Sequence, residues 1–265
     1  MSLQRNAKKA FYAAIPVVAI LFIIVIPALW ASRGPADVQP TVDPAAGSAP
    51  IEIQEISVVP HPVLPVSEVQ TLDVVAKLFN PNARAGVEKY PLEFVLLDTQ
   101  GGEITRVAKE TYVLPGMVQY VAVLNVSFPL GVQLGQIELV RQPREDFIRL
   151  PADVALPQFS SFLHDREERI TGGVARVVQT GIVRNTSTFD WQRVEVRAVA
   201  LDSSGGVIGV GETFVGRLLV GEQREFTLEW PKSSQAINQV IAIPSTNIFR
   251  EENVVEIIGD PSRLR

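Results

Sequence analysis

The sequence predicts an all-β protein made of two tandem antiparallel β-sandwiches, preceded by one N-terminal transmembrane α-helix. Three observations predict this fold class. An uncharged apolar run covers residues 11–31. Two later segments of the chain align with each other at an almost constant offset. Within both segments, apolar and polar residues alternate with a period of two, as they do in half-buried β-strands.

The apolar run is long enough to cross a membrane. Residues 11–31 read FYAAIPVVAILFIIVIPALWA and contain no charged residue. At about 1.5 Å per residue, such a run spans the roughly 30 Å hydrocarbon core of a bilayer, where the backbone must be helical. Tyr12 and Trp30 lie near its two ends, where amphipathic rings favour the membrane interface. We therefore expect the lipid bilayer to be a partner through residues 11–31.

The flanking charges predict the orientation of this helix. Arg5, Lys8 and Lys9 lie in residues 1–10, which hold no acidic residue. The positive-inside rule makes residues 1–10 a cytoplasmic basic tail and places the rest of the chain outside, in the periplasm or at the cell surface. The alternative is a cleaved signal peptide. The length of the run and Leu29, where a small residue is wanted before cleavage, favour a retained anchor.

Composition excludes several classes of protein. The chain has no cysteine, which excludes disulfides, thiol nucleophiles and thiolate metal sites and favours a bacterial or archaeal envelope protein. Beyond the three basic residues of the tail, 21 of the 24 basic residues and all 29 acidic residues remain, a net charge of −8. Nucleic-acid binders carry the opposite sign, so we expect no nucleic-acid partner.

The two aligned segments share landmarks at offsets between 102 and 105 residues. The matched positions are Asn80 with Asn185, Asp98 with Asp202, Gly101–Gly102 with Gly205–Gly206, Pro115–Gly116 with Val220–Gly221, and Phe128–Pro129 with Trp230–Pro231. We interpret them as two copies of one β-sandwich, at residues 51–150 and 173–265. A Pro- and Ala-rich linker precedes them at residues 32–50, where its prolines predict a semi-extended spacer. An inter-repeat segment separates them at residues 151–172.

Strand alternation predicts which residues fill each core. Leu92, Phe94 and Leu96 share one face of a strand in the first copy, and the second copy has Val196, Ala198 and Ala200 at the matching positions. Because the alanines leave volume unfilled, we expect aromatic residues of the second copy to fill its core. The expected fillers are Trp191, Phe214 and Trp230. Outside the membrane segment, the best local helix candidate runs from Gln158 to Arg169.

These features resemble the FxLYD family of small extracytoplasmic β-sandwich domains. The first copy shows Phe94-Val-Leu-Leu-Asp98 and Leu114-Pro-Gly116, and the second shows Ala198-Val-Ala-Leu-Asp202 and Gly181-Ile-Val-Arg-Asn185. The second copy lacks the phenylalanine and the proline of the family pattern. The resemblance, which extends to LEA14-like domains, implies immunoglobulin-like modules that face the cell envelope and carry no known catalytic residues.

No motif predicts a chemical site, so we expect no catalytic residue, no cofactor and no metal. His61, in Pro60-His-Pro62, is expected in a surface turn, and His164 in the inter-repeat segment. Asp98 and Asp202 are expected to cap their own turns rather than to bind calcium, because the alternating carboxylates of a calcium loop are missing. The charged run from Asp165 to Arg169 is expected to stay hydrated. Asn125-Val-Ser127 and Asn185-Thr-Ser187 match the glycosylation sequon.

We therefore expect a non-enzymatic envelope protein whose tandem β-sandwiches contact an unknown envelope protein through exposed strand edges or loops. The alternative is a ligand-binding module for glycans or lipids that uses a cleft between the copies. In that case residues 148–172 would line the cleft, with aromatic side chains clustered near Phe159 and Phe162. A hydrolase is disfavoured because the nucleophile and base that hydrolysis needs are missing.

Overall fold

The computed structural model describes residues 48–65, 67–141 and 145–255. The basic tail, the transmembrane helix and most of the linker, as predicted from the sequence, lie outside the described residues. Within the described part of the chain, no helix is both long and apolar enough to cross a membrane. The described residues all belong to one compact unit.

The described chain is all-β, as predicted, and every strand pairing is antiparallel. The only helical element among the described residues is a single 3₁₀ turn at Glu251–Asn253. The strands are β1 Glu52–Pro60, β2 Val69–Phe79, β3 Ala85–Asp98, β4 Glu103–Val113, β5 Val118–Pro129, β6 Leu134–Arg141, β7 Phe147–Arg149, β8 Phe159–Thr171, β9 Val174–Asn185, β10 Trp191–Leu201, β11 Val207–Leu218, β12 Gln223–Pro231 and β13 Gln239–Ser245.

The first seven strands form two sheets that share one apolar core. One sheet has the order β1-β2-β5, and the other has the order β4-β3-β6 with β7 also paired to β3. The predicted face of β3 is buried, since Leu92, Phe94 and Leu96 all point into this core. Residues of β2 and β5, among them Leu72 and Val121, meet them from the opposite sheet. The apolar face of each sheet is thereby removed from water, which is the main favourable term in folding.

The second set of strands repeats this arrangement, with the sheet orders β12-β9-β8 and β11-β10-β13 around a second core. Trp230 and Trp191 are buried there, as expected. Trp230 lies against Gly209, where a Cβ atom would come within 2.4 Å of the indole ring. Glycine on β11 therefore makes room for the tryptophan that replaces the volume lost at Ala198 and Ala200.

The expectation that Phe214 fills this core is wrong. Phe214 is 56% exposed on β11, and the guanidinium of Arg193 lies 4.0 Å from the centre of its ring. Phe214 pairs with Glu195, which follows the core residue Val194 on β10. The period-two alternation therefore puts Phe214 on the outer face of the sheet, where a cation–π contact replaces burial.

The expectation of a helix from Gln158 to Arg169 is also wrong. Residues 159–171 form β8, which pairs with β9 from Phe159↔Asn185 to Thr171↔Val174. A glycine turn at Gly172–Gly173 joins the two strands, and both glycines have positive φ angles. Most of residues 151–172, which the sequence predicted to be an inter-repeat segment, therefore form an outer strand of the second sandwich. The pairing partner, rather than local preference, decides its structure.

The aligned landmarks make the same hydrogen bonds in both copies. Asn80 donates from Nδ2 to the carbonyl oxygens of Ala85 and Leu114, at 2.7 and 3.0 Å. Asn185 donates in the same way to Phe189 and Leu218, at 2.8 and 3.1 Å. Both side chains are fully buried, so each asparagine supplies donors to strand ends that would otherwise leave buried carbonyls unpaired.

The Asp-x-x-Gly-Gly turns are equivalent as well. Oδ1 of Asp98 accepts the backbone N–H groups of Gln100 and Gly102, both at 2.8 Å. Oδ1 of Asp202 accepts those of Ser204 and Gly206, at 2.8 and 2.9 Å. The third residue after each aspartate is a glycine with a φ angle of 84° or 87°, a conformation that side chains rarely adopt. Both aspartates therefore cap their own turns.

The two sandwiches pack face to face and form four layers. The outer face of β1-β2-β5 contributes Val59, Val75 and Ala122 to a third apolar cluster. The other buried residues of this cluster are Val199, Val207 and Val210, which lie on the outer face of β11-β10-β13. Because this cluster is buried, the two copies pack directly against each other and are not joined by the chain alone. Apolar side chains occupy the space between them.

The copies are packed with equivalent ends together. At one end, Ala49 N–H donates to Asn82 at 2.9 Å, and Val255 N–H donates to Asp190 at 3.0 Å. Also at this end, Asn247 of the second copy donates to the carbonyl of Glu88 in the first copy. We call it the entry pole, because the first and last described residues lie there. The other end, where Leu64 lies beside Gly173, is called the far pole.

Candidate functional site

The far pole is formed by six loops, three from each copy. Strands leave the entry pole and turn here, so the loops of both copies lie at one end of the four-layer stack. The described residues of these loops are 61–65, 67–68, 99–102, 130–133, 172–173, 202–206 and 232–238. Loops held by rigid sheets are the usual place for binding residues.

Five large apolar side chains are exposed at the far pole, with exposed fractions between 36% and 78%. We call them the apolar patch; its members are Val63, Leu64, Val69, Leu130 and Ile170. Leu130 N–H donates to the carbonyl of Glu68 at 2.8 Å, which joins the 130–133 loop to the loop before β2. Leu64 lies beside Gly173, in the turn that follows Ile170 and Thr171. The apolar patch therefore includes residues of both copies at this pole.

A cavity of about 380 Å³ opens at the far pole of the second copy. Its apolar wall consists of Val177, Ile208 and Trp230, which belong to the core of that sandwich. Residues 166–168 of β8 and residues 232–237 of the loop after β12 complete it. A second cavity of about 400 Å³ is lined by residues 235–238 of the same loop and by Asp202 and Ser203. The first volume lies within the range of small-ligand sites.

The two copies differ in the loop that closes this end of the core. The first copy connects β5 to β6 with residues 130–133, and Val132 packs against the core. The second copy connects β12 to β13 with the longer run of residues 232–238. Ile237 packs against the core there, but the preceding serines and Gln235 stand at the cavity mouth. The cavity is therefore a feature of the second copy's longer loop.

Charged side chains line the cavity. Lys232 Nζ lies 2.6 Å from a carboxylate oxygen of Glu168, and Arg169 is paired with Glu167. Arg166 pairs with no carboxylate among the residues that the structure describes. Arg166 is opposite Gln179 on β9, two residues from the core residue Val177, so its side chain lies on the face of β8 that looks toward the core.

His61 begins the loop after β1, but its side chain does not face solvent as a surface turn would predict. Its side chain is mostly buried, and Nε2 lies 3.0 Å from Oδ1 of Asp73. The same carboxylate oxygen accepts the backbone N–H of Asn125 at 2.7 Å, where β2 and β5 shift register and Asn125 has a φ angle of 57°. Asp73 therefore holds a β-bulge, and the imidazole of His61 packs beside its buried carboxylate. This arrangement is structural.

His164 lies in β8, at the register shift between Leu163 and Arg166, rather than between the copies. Its Nδ1 is 2.9 Å from the carboxylate of the exposed Asp165 and 3.2 Å from the hydroxyl of Thr180. Among the described residues, no group of three or more histidine, aspartate or glutamate side chains is placed to hold a metal ion. The sequon residue Asn185 is buried, whereas Asn125 is exposed.

The ligand pocket expected near Phe159 and Phe162 is not formed by these two residues. Phe159 packs against the core of the second copy, whereas Phe162 is 67% exposed. They are three residues apart in one strand, so their side chains point to opposite faces. The apolar cluster between the copies comes from other strands and fills the space where a cleft was expected.

The sequence carried a signal for the apolar patch but none for the cavity. The loop His61-Pro-Val-Leu-Pro65 is apolar, which is unusual for a connection between strands. The cavity depends on a loop-length difference whose consequence appears only after both sheets are in place. In a comparison with known proteins, the chain matches no protein-family model and no curated protein.

Proposed function

We propose that the protein is a membrane-anchored, non-enzymatic component of a cell envelope whose two immunoglobulin-like, FxLYD-type sandwiches bind another envelope protein at the far pole. The anchor is residues 11–31, with residues 1–10 in the cytoplasm and the sandwiches outside. The uncharged run and the three basic residues before it support this topology.

The observation that carries the proposal is the position of the apolar patch. The chain enters the sandwiches at the entry pole, where Ala49 is bound to Asn82. The patch lies at the opposite end, and it combines residues of both copies. On an anchored protein the far pole would be the end most accessible to a partner in the envelope. Exposed apolar side chains gathered at one end of a protein are a mark of protein-binding sites.

The test is co-purification from chemically cross-linked membranes with the full-length chain as bait. Leu130→Asp and Ile170→Asp each place a charge in the patch, and we expect both to remove the same specific cross-linked protein. Val140→Asp is the matched control, because Val140 is comparably exposed on β6, away from the patch. An unchanged set of cross-linked proteins in both patch variants would contradict the proposal.

Membrane fractionation tests the topology separately. The full-length chain should sediment with membranes and resist extraction by carbonate, because a spanning helix is held by its apolar surface. A variant without residues 1–31 should be recovered in the soluble fraction. Recovery of the full-length chain as a soluble protein would contradict the anchor but not the binding site.

A second candidate function is ligand binding by the second copy. The specific observation in its favour is the 380 Å³ cavity, which combines an apolar wall with polar side chains at its mouth. Ligand pockets have this composition. The cavity lies within one copy, so this candidate differs in position from the cleft between copies that the sequence suggested.

A further inference from the structure

We infer that the cavity between β8 and the 232–238 loop binds a compact apolar group that carries a carboxylate. This inference rests on the second candidate function and names the chemistry of the ligand. The shared chemistry fits a free aliphatic acid and the C-terminal residue of a protein chain.

The apolar part of the ligand follows from the wall of the cavity. Val177, Ile208 and Trp230 line the cavity as buried members of the core, and the partly buried Ile237 lines it as well. Trp230 is almost fully buried, and Gly209 and Gly211 lie close against its ring atoms. Its ring face is therefore not available to stack on a sugar. The wall favours an aliphatic group over a carbohydrate.

The carboxylate follows from the balance of charge at the mouth. Four charged residues line the cavity, namely Arg166, Glu167, Glu168 and Lys232. Glu168 and Lys232 neutralise each other, and Glu167 is paired with Arg169. Arg166 remains as the cation whose charge no carboxylate of the described residues balances. A guanidinium recognises a carboxylate through two parallel hydrogen bonds, which a neutral ligand cannot replace.

The neighbouring polar groups suit the same ligand. Ser233 and Ser234 follow Lys232 in the loop that lines the cavity. Their hydroxyl groups are donors of the kind that a carboxylate accepts beside an arginine. Such a ligand would place its carboxylate at Arg166 and its apolar group against Ile208 and Val177. It would then contact both the charged and the apolar residues of the cavity.

The test is calorimetric titration of the full-length chain with two matched pairs of probes. N-acetyl-leucine and N-acetyl-leucinamide represent a protein C-terminus with and without its charge, and octanoate and octanol do the same for an aliphatic acid. We expect at least one acid to bind about tenfold or more tightly than its neutral partner, as expected for a charge-assisted hydrogen bond. Tighter binding of N-acetyl-leucine would indicate the C-terminus of a protein as the ligand, and tighter binding of octanoate would indicate a free aliphatic acid.

Three variants at exposed positions locate the binding. Arg166→Gln should abolish the preference for the acid, whereas Arg169→Gln, on the same strand, should preserve it because Arg169 is already paired with Glu167. Ala236→Phe, at an exposed position of the cavity loop, should weaken the acid and the neutral probe together.

The possible failures are distinguishable. Equal binding of acid and neutral probes would overturn the carboxylate inference and leave ligand binding standing. An acid preference that survives Arg166→Gln would also overturn the inference. No saturable binding of any probe up to about 10 mM would overturn both the inference and the second candidate function. A dissociation constant above about 10 mM corresponds to a binding free energy weaker than about −2.7 kcal/mol. None of these results bears on the apolar patch.

Discussion

The hydroxyl groups of Tyr112 and Ser245 lie 2.9 Å apart and join the two sandwiches. Tyr112 lies in the buried end of β4 in the first copy, and Ser245 ends β13 in the second. Burial, with a smaller effect from the nearby charge of Glu195, raises the pKa of Tyr112 well above its ordinary value. The phenol therefore remains a neutral partner of Ser245 in this interface at physiological pH.

A double-mutant cycle should detect this contact. Tyr112→Phe and Ser245→Ala each remove one hydroxyl group, and each should lower the free energy of unfolding by about 1 kcal/mol. The double variant should lose less free energy of unfolding than the two single variants together. Each single variant leaves one buried hydroxyl group without a partner, whereas the double variant leaves none. Urea unfolding measures all four proteins. Strict additivity would show that the two groups do not interact.

The apolar cluster between the copies should couple their unfolding. Val75→Asp buries an uncompensated carboxylate between the sheets, and we expect a loss of about 3 kcal/mol or more. Val140→Asp, at an exposed position of β6, is the control and should change stability by less than about 0.5 kcal/mol. The wild-type chain should unfold in a single transition. Two separated wild-type transitions would contradict the coupling.

Asn80 and Asn185 should be equally important to their own sandwiches. Replacement of either by alanine leaves two buried carbonyls without a donor, and each variant should lose about 2 to 4 kcal/mol. Gln100→Ala, in an exposed turn, should be close to neutral. Thermal or urea unfolding compares the three variants. A neutral Asn80→Ala variant would show that the paired carbonyls find other donors.

The first glycine of each Asp-x-x-Gly-Gly turn should resist substitution for a conformational reason. Gly101→Ala and Gly205→Ala force a side chain into the left-handed region, which should cost about 1 kcal/mol each although no atom lies within 4 Å of the new methyl group. Gly216→Ala is the matched control, because it has equally open surroundings without a positive φ angle. Equal stability of all three variants would contradict the conformational explanation.

The stability of the protein should fall at alkaline pH partly because of Tyr90. Burial, assisted by the charge of Glu145 at 3.1 Å, raises the pKa of Tyr90 to about 12. The unfolded phenol ionises near pH 10, so the stability it contributes is fully present below pH 10 and is lost as pH rises toward 12. The loss attributable to this group is at most about 2.7 kcal/mol.

Ultraviolet absorbance of phenolate measures this titration. The native protein should show tyrosines that ionise well above pH 10, and Tyr90→Phe should remove one of them. The same variant should lose less stability than wild type between pH 10 and 12. Native tyrosines that all titrate near pH 10 would show that Tyr90 is not shielded.

Much of the fold was predictable because it depends on local pattern. Alternation identified the buried face of β3 through Leu92, Phe94 and Leu96, and turn chemistry identified Asp98 and Asp202 as caps. The repeat identified Asn80 and Asn185 as equivalent positions without revealing which carbonyls they bind. In the candidate site, only the apolar loop after Pro60 was visible in the sequence.

The errors have one physical cause in common. Phe214 and residues 159–171 were assigned from their composition, whereas their environment depends on strands far away in the chain. Phe214 is exposed because β11 pairs with β10 in a register that turns it outward. Residues 159–171 are extended because β9 offers them a row of backbone hydrogen bonds, which outweighs local helix preference.

By itself, the sequence determined the all-β class, the antiparallel turns and the inner face of the central strand, because period-two alternation and left-handed glycines act over a few residues. Only the tertiary structure decided that the outer faces carrying Val75 and Val199 cover each other. It also decided that a longer loop leaves a cavity beside Trp230. Both outcomes depend on which surfaces pack against each other in the folded protein. Burial of apolar area stabilises such packing, but it is non-directional, so the local sequence does not specify which surfaces will pack together.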